Sequence, residues 1–257
     1  MAGADAHRFF TDSAALAISL AAIRIGKRPA DSNRTFGYYR FEILAALANA
    51  VVLLGVTAYI LYEAYRRFFE PTEILGWPMM LVAFVGLGVN LASMRLLAGG
   101  SSESLNVKGA YFEVFSDMLG SVGVIAAALV VMATGWRWVD PLVGAGIGLF
   151  IVPRTWRLLS EALHILLEGT PLGVDLAALR TEIEAMPGVR RAYDLHAWTL
   201  TSGFDAMSGH VVMDDVAAGP DLIRAVRRLV KERHGIEHVT VQVEDEALSA
   251  EAARLPV

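Results

Sequence analysis

Long apolar segments fill the first two thirds of the chain, and each is long enough to cross a membrane as a helix. The hydrocarbon core of a bilayer is about 30 Å thick and needs roughly 20 mostly apolar helical residues. We predict a membrane-spanning helix over each of five segments: Asp5–Ile25, Phe41–Tyr65, Trp77–Leu97, Tyr111–Thr134 and Pro141–Leu159. The pattern therefore predicts a polytopic α-helical membrane bundle in residues 1–170.

From residue 171 the pattern changes to that of a small soluble domain. Apolar residues recur at helical spacing in two segments and alternate with polar ones in three others. The helices are predicted over Leu176–Met186 and Pro220–Lys231, and the strands over Val189–Leu200, Met207–Met213 and Ile236–Val243. This αββαβ order predicts a small α+β, ferredoxin-like cytoplasmic domain over residues 171–246, followed by a C-terminal tail over residues 247–257.

The composition agrees with a membrane protein and narrows the chemistry. The chain is 55% hydrophobic and only 19% charged, with a mean hydropathy of +0.47, which is too apolar for an ordinary soluble protein. It has no cysteine, so disulfides and thiolate metal sites are excluded. The formal net charge of −5 gives no indication of a nucleic-acid partner. We expect no enzyme, because no nucleophile–base pair falls within the predicted spans.

Basic residues mark the side of the membrane on which each loop lies. The loop after the first predicted span holds five of them: Arg24, Lys27, Arg28, Arg34 and Arg40. Two further arginines, at 154 and 157, lead into the tail, whereas the fourth loop has a single one, at 137. Positive charge is favoured in cytoplasmic loops. We therefore expect the first and third loops and the tail to be cytoplasmic, and the N-terminus to be outside.

Ionisable residues at membrane depth are costly and are functional candidates by default. The first predicted span carries Asp5, Arg8 and Asp12 on one helical face, and the fourth carries Glu113 and Asp117 one turn apart. Carboxylates on two facing helices can cage a divalent cation. They can equally form a structural ion cluster in which the arginine neutralises the acids. The residues alone leave both interpretations open.

Several longer stretches carry a resemblance to a known family, which extends from about Ala4 to Glu244. In the apolar part these are ADAHRFFTDSAALAISLAAIRIGKRPADSNRTFGYYRFEILAALANAV and NVKGAYFEVFSDMLGSVGVIAAAL. In the last third they are ILLEGTP, YDLHAWTL, SGHVV and IEHVTVQVE. These stretches resemble the second, third and fifth transmembrane helices, the junction and the cytoplasmic domain of the cation diffusion facilitator family.

The resemblance implies a homodimeric exporter of a divalent metal, usually zinc, driven by proton antiport. Zn²⁺ would be the substrate and a possible regulatory ion, and Mn²⁺ or another divalent cation is an alternative substrate. The protein would lie in the lipid bilayer of a bacterial inner membrane, with a metal-binding, dimerising domain in the cytoplasm. The family has six spans, and this chain starts at the family's second helix. We therefore expect a six-span plan that lacks its first helix.

The resemblance also implies a transport site. The family uses two residues four apart on each of two helices, commonly His-x-x-x-Asp. Asp12 and Asp117 match the aspartates, whereas Arg8 and Glu113 stand at the histidine positions. A guanidinium stays protonated and cannot ligate a metal, so one hypothesis pairs Arg8 with Glu113 in the place of the ion.

A rival hypothesis keeps the metal. His7 is five residues before Asp12, about 140° around an ideal helix. A distorted first turn would bring His7 inward while Arg8 extends to the interface. The site would then consist of His7, Asp12, Glu113 and Asp117.

Histidines in the last third form a second candidate metal site. His196, His210 and His238 fall on the three neighbouring predicted strands, and Glu244 faces the same way as His238. The residues alone favour surface or sheet-packing histidines. Their positions match the cytoplasmic metal-binding region of the family, although Tyr193 stands where a histidine is frequent. With the resemblance, we predict metal binding by this set.

Two hypotheses about function follow. The first is efflux of a divalent metal cation by proton-coupled antiport. The second is a transport-silent family member that acts as a regulatory or dimerising subunit, because the transport site is degenerate and the family's first helix is expected to be missing. Two polar residues in the apolar helices, Asn49 and Asn90, are interpreted as interhelical hydrogen-bonding groups.

Overall fold

The computed structural model describes residues 21–22, 24–70, 76–100, 104–136 and 138–252. The chain divides into two compact units, Met1–Leu163 and His164–Val257. The first predicted span lies almost entirely outside the described residues. Only its end is described, and residues 21–22 and 24–26 are helical.

The first unit contains long apolar helices, as the hydropathy pattern predicts. They are α1 (Arg40–Phe69), α2 (Gly76–Leu97), α3 (Leu105–Thr134) and α4 (Val139–Leu166), whose last residues belong to the second unit. Among the described residues three helices are long and apolar enough to cross a membrane, over Arg40–Phe69, Val107–Thr134 and Pro141–Leu166. The described apolar part of α2, Ala83–Leu97, is shorter. These helices confirm the predicted helical membrane bundle as the fold class of this unit.

The ends of α3 follow from local sequence signals. Ser104 caps its first turn, where the hydroxyl accepts a hydrogen bond from the N–H of Val107 at 3.3 Å. Gly135 ends it in the left-handed conformation, with φ +71°. The helix therefore starts six residues before the predicted Tyr111, because the prediction considered the apolar run and not the cap.

Glycines allow the helices of this unit to approach closely. A Cβ atom on Gly123 of α3 would lie 2.6 Å from Ile147 Cδ1 of α4. A Cβ on Gly148 of α4 would lie 2.6 Å from Leu61 Cδ2 of α1. Small residues at such contacts are typical of helix packing in membranes, where dispersion contacts replace the hydrophobic effect.

The second unit is a three-stranded sheet covered by helices. It comprises α5 (Leu176–Glu184), β1 (Val189–Thr201), β2 (Phe204–Met213), α6 (Gly219–His234), β3 (His238–Glu244) and α7 (Glu246–Ala252). The sheet order is β1-β2-β3; β1 and β2 are antiparallel, and β2 and β3 are parallel, connected through α6. The predicted αββαβ order is confirmed. The short helix α7 is an addition, since this segment was predicted only as the start of the tail.

The core of the second unit lies between the sheet and helices α5 and α6. Leu179 and Ile183 of α5 and Val226 and Val230 of α6 are fully buried. Asp175 caps α5 by accepting from the N–H groups of residues 177 and 178. The core fixes one face of the sheet, which leaves the histidine-bearing positions of the strands on the other.

Candidate metal sites

The two acidic residues of α3 lie one turn apart, as the sequence spacing predicts. Glu113 is half-buried and Asp117 is exposed, and between them Val114 and Ser116 are buried. Ser121, one turn further, donates its hydroxyl to the backbone oxygen of Asp117 at 3.0 Å. The carboxylates thus share one face of an apolar helix.

Helix α2 lies beside this face. A Cβ on Gly86 of α2 would be 3.4 Å from Ser121 Oγ, so Gly86 and Ser121 are at the same level. The two helices pack against each other and are joined by the short segment 98–104. Because they run in opposite directions, Asn90 of α2 is at the level of Asp117. Asn49 of α1 is 7% exposed, and its Cβ lies 4.0 Å from where a Cβ on Gly109 of α3 would be.

The remaining residues of the predicted transport site, His7, Arg8 and Asp12, lie outside the described residues, as does Asp5 on the same predicted helix. The pairing of Arg8 with Glu113 and the alternative role of His7 stay predictions.

The first turns of α3 are connected to α1 and α4 by side-chain contacts. Ser104 donates its hydroxyl to Glu42 Oε1 of α1 at 2.5 Å. Lys108 Nζ lies 2.8 Å from Glu161 Oε2 of α4, and both side chains are partly buried. These contacts join residues 62 and 53 positions apart, and no local sequence pattern predicts them. They fix the end of the helix that carries Glu113 and Asp117.

The loop before α1 is organised around Asp31. Its carboxylate accepts the backbone N–H groups of Asn33 and Arg34 at 2.8 and 2.9 Å, and the hydroxyl of Tyr38 at 2.7 Å. The hydrogen bond from Tyr38 is the main cause that lowers the pKa of Asp31, and the same bond raises the pKa of Tyr38. The guanidinium of Arg34 lies 5.1 Å from the centre of the Tyr38 ring. The segment RTFGYYRFE therefore forms a structured turn that leads into the first residues of α1.

In the second unit, Glu244 is a fully buried carboxylate at the end of β3. It accepts the Tyr193 hydroxyl at 2.6 Å, His210 Nδ1 at 2.6 Å and the Gln242 amide at 2.8 Å. Burial acts to raise the pKa of Glu244, but the hydrogen bonds from Tyr193 and His210 outweigh it, and the pKa is lowered. Burial, followed by the bond to Glu244, raises the pKa of Tyr193. Three strands thus converge on one ionised carboxylate.

Asp194 extends this cluster toward His196. Its φ of +51° coincides with the register shift between Tyr193 and His196, where β1 departs from regular pairing. One carboxylate oxygen of Asp194 is 2.8 Å from His196 Nε2, and the other is 3.9 Å from His210 Nε2. His210 therefore lies between two carboxylates, one on each ring nitrogen.

His238 lies apart from this cluster. It pairs with Ala206 across the sheet, and its ring meets Phe204 edge-on, with the ring centres 6.3 Å apart. His210 pairs instead with Gln242, four residues further along β3, which is about 13 Å at the rise of an extended strand. The structure brings His210 and Glu244 together and adds His196 through Asp194. Within the described parts of the chain, no three His, Asp or Glu side chains are arranged to hold a metal ion.

The chain matches two families, and together the matches cover nearly all of it. Residues 3–167 match the family described as the cation efflux transmembrane domain. Residues 171–246 match the one described as the cytoplasmic domain of cation efflux proteins. The chain belongs to the cation efflux, or cation diffusion facilitator, family.

Curated relatives of this cation efflux protein are similar over most of their length. The metal cation efflux system protein CzcD of Cupriavidus metallidurans is 54% identical, over 93% of this chain and 76% of the relative. A cadmium, cobalt and zinc/H(+)-K(+) antiporter of Bacillus subtilis is 39% identical, over 95% and 79%. The zinc transporter ZitB of Escherichia coli is 37% identical, over 94% and 77%. A solved metal-bound C-terminal domain of the CzcD transporter is 40% identical, covers 28% of this chain and 99% of that one, and has a TM-score of 0.25.

Membership confirms the resemblance seen in the sequence. The family match and the apolar helices make this chain an integral membrane protein of the divalent metal cation efflux type. Tyr193, Asp194 and Gln242 were not predicted as site residues. The sequence signals for them are that the first two lie in the family stretch YDLHAWTL and the third in IEHVTVQVE, and that Tyr193 stands where the family frequently has a histidine.

Proposed function

We propose that this cation efflux protein exports zinc in exchange for protons. The observation that supports the proposal is the pair Glu113 and Asp117, one turn apart on an apolar helix, in a chain 54% identical to a metal cation efflux protein. Relatives are named as zinc transporters and as an antiporter that uses protons. Carboxylates at membrane depth can exchange a divalent cation for protons, because each binds one or the other.

The transport site combines these residues with the first predicted span. Asp12, Glu113 and Asp117 supply oxygen ligands, and His7 is the candidate fourth ligand. Oxygen-rich sites also suit harder cations, so Mn²⁺ is the main alternative substrate. Arg8 either pairs with Glu113 or extends to the membrane interface.

Alternating access requires that the cytoplasmic end of the bundle opens and closes. The ties from Ser104 to Glu42 and from Lys108 to Glu161 join α3 to its neighbours at that end. In this proposal they hold α3 closed on the cytoplasmic side and separate when the site faces the cytoplasm.

The second unit, which we place in the cytoplasm of a bacterial cell, is proposed to bind a regulatory metal and to dimerise. The His210 ring presents Nε2 toward Asp194 while Nδ1 bonds to buried Glu244. A carboxylate on the far nitrogen is the usual way in which a metal-binding histidine is oriented. In this proposal His196 and Asp194 complete the ligand group after a rearrangement, because the described side chains do not already hold three ligands in metal-binding geometry and His196 Nε2 is bonded to Asp194 at 2.8 Å. His238 lies too far along β3 to share that ion, and it enters the proposal as a ligand for a second ion.

Zinc uptake into proteoliposomes with an imposed pH gradient tests the transport proposal. We expect uptake that depends on the gradient and is lost in Asp117→Asn, which keeps the shape of the side chain and removes its charge. Glu63→Gln is the matched control, because Glu63 is a carboxylate of the same bundle that pairs with Arg67 on α1. Uptake that survives Asp117→Asn or ignores the gradient contradicts the proposal.

The alternative is a transport-silent subunit, which the arginine at position 8 favours. The same vesicles distinguish it. A folded, dimeric protein that moves neither Zn²⁺ nor Mn²⁺ in the wild type, but moves Zn²⁺ in Arg8→His, supports the silent interpretation.

A further inference from the structure

We propose that a groove between α3 and α4 binds an anionic phospholipid of the surrounding membrane, with Arg154 holding its phosphate. The groove is lined by three phenylalanines, an isoleucine and two hydroxyl side chains, with the arginine at its edge. This site is separate from Glu113 and Asp117, and the proposal does not depend on the transported ion.

The groove has an apolar interior, although two of its lining residues carry hydroxyl groups. Phe112 and Phe115 come from α3, and Phe150 and Ile151 from α4. The two hydroxyl residues are turned back to their own helices: Ser116 donates to the backbone oxygen of Phe112 at 2.7 Å, and Thr155 to that of Ile151 at 3.2 Å. Because both hydroxyl hydrogens are already bonded within the helices, the lining can contact a hydrocarbon chain without leaving a donor unpaired.

Arg154 stands at the edge of this lining. Its guanidinium carbon lies 4.4 Å from the centre of the Phe150 ring and 5.2 Å from that of Phe115. Cation–π contacts of this kind orient the guanidinium plane while leaving its N–H groups available. Within the part of the chain that the structure describes, no carboxylate pairs with Arg154 or with Arg157 one turn later, and both are exposed.

Lys108, a second cationic side chain on the same pair of helices, has the acidic partner that Arg154 lacks among the described residues. Lys108 of α3 is matched by Glu161 of α4 at 2.8 Å. The charge of Arg154, by comparison, has no acidic partner among the described residues and faces outward beside an apolar groove. A positive charge in that position is complementary to an anion that carries its own hydrocarbon.

The position of Arg154 near the end of the predicted span favours a membrane phospholipid as the source of the anion. The predicted span ends at Leu159, five residues later, which is about 7.5 Å along the helix axis. An extended arginine side chain reaches the phosphate layer from this depth. The expected orientation places this end at the cytoplasmic leaflet, where anionic lipids are enriched. A guanidinium binds phosphate through two parallel hydrogen bonds. A free phosphate ion would leave the aromatic lining uncovered, and a zwitterionic lipid offers a phosphate already balanced by its own cation.

Lipid titration of the purified full-length protein in detergent tests the proposal through the unfolding temperature. The three probes are phosphatidylglycerol, phosphatidylcholine with the same acyl chains, and inorganic phosphate. We expect phosphatidylglycerol alone to raise the unfolding temperature. In Arg154→Gln its apparent affinity should fall by about tenfold, the factor expected for loss of a charge-assisted contact. Arg154→Lys should lie between, because it keeps the charge and loses the planar fork.

Arg66→Gln is the matched control, since Arg66 is an exposed cation of the same bundle outside the groove. It should keep the wild-type affinity for phosphatidylglycerol. Equal stabilisation by phosphatidylcholine would overturn the proposal and indicate acyl-chain contact alone, and an equal effect of inorganic phosphate would indicate a soluble anion. Wild-type affinity in Arg154→Gln would also overturn it. If Arg154→Gln does not fold, the proposal is tested by the affinity of Arg154→Lys and by the comparison of the three probes on the wild-type protein.

Discussion

Asp117 in the helical unit and Glu244 in the second unit are carboxylates in opposite environments. Asp117 is exposed on an apolar helix, one turn from the second acid, Glu113. Glu244 is fully buried and accepts hydrogen bonds from Tyr193, His210 and Gln242. The fold uses the acceptor capacity of Glu244, whereas Asp117 belongs to the proposed transport site. Under that proposal, Glu244 contributes to stability and Asp117 to transport.

Removing the buried carboxylate should have the largest effect. Glu244→Ala leaves three donors without their acceptor and opens a cavity, so we expect the free energy of unfolding of the second unit to fall by about 3–5 kcal/mol. Denaturant unfolding of the full chain measures it. Glu246→Ala, an exposed acid two residues later, is the control and should change it by less than about 0.5 kcal/mol. Equal effects of the two substitutions would show that the cluster does not stabilise the fold.

A milder change separates one donor from the carboxylate. Tyr193→Phe removes the hydroxyl that lies 2.6 Å from Glu244 and keeps the ring beside that of His210, to which it is tilted by 34°, with 5.1 Å between ring centres. A hydrogen bond to a charged group contributes about 1.5–3 kcal/mol, and we expect a loss of that size in the same unfolding measurement. Trp198→Phe, further along β1, serves to calibrate the cost of an aromatic substitution in this strand. An unchanged unfolding midpoint in Tyr193→Phe would mean that water replaces the hydroxyl without penalty.

The helical unit should respond in the opposite way. Glu113→Gln removes a charge from a half-buried position, and we expect zinc uptake to fall by at least about tenfold, equivalent to 1.4 kcal/mol. The free energy of unfolding should change by less than about 1 kcal/mol, as is usual outside a packed core. Uptake in vesicles and thermal unfolding in detergent give the two values. If Glu113→Gln unfolds as readily as Glu244→Ala but still transports zinc, Glu113 contributes to stability and not to transport, which contradicts the prediction.

The two regions also differ in how far the sequence predicts them. Glu113 and Asp117 are four residues apart, so helical periodicity alone places them together. The Glu244 cluster draws Tyr193, His210 and Gln242 from three strands, and its composition depends on the register of the sheet. Strand patterns predict which segments form the sheet. They do not predict that the irregularity in β1 places Asp194 between His196 and His210. Nor do they predict that His238 lies four residues along β3 from Gln242, the residue that pairs with His210.

Contacts between residues far apart in the sequence could not be predicted either, because they depend on how the helices are rotated relative to each other. Lys108 and Glu161 are 53 residues apart, and Ser104 and Glu42 are 62 apart. Hydropathy identifies the helices that carry them, but not their relative rotation. Helix α7 was missed because seven residues make only two turns, which is too short to show a clear helical period.

The smallest expected effect concerns the pH dependence of the second unit. The pKa of Glu244 is lowered in the fold relative to the ordinary glutamate value of 4.5. A group with a lowered folded pKa contributes stability that is complete above its unfolded pKa and is lost as the pH falls through the folded pKa. The contribution of Glu244 should therefore be nearly complete above about pH 5 and should decline below pH 4.5. Glu244→Gln removes this titration, so the difference between wild type and variant in unfolding experiments from pH 7 to pH 3 isolates its contribution. In Tyr193→Phe the decline should be smaller and should end at a higher pH, because one of the hydrogen bonds that lower the folded pKa is gone. A decline that is identical in wild type and Glu244→Gln would assign the acid sensitivity to other carboxylates, such as Glu182, whose pKa is lowered by Arg233 and His234.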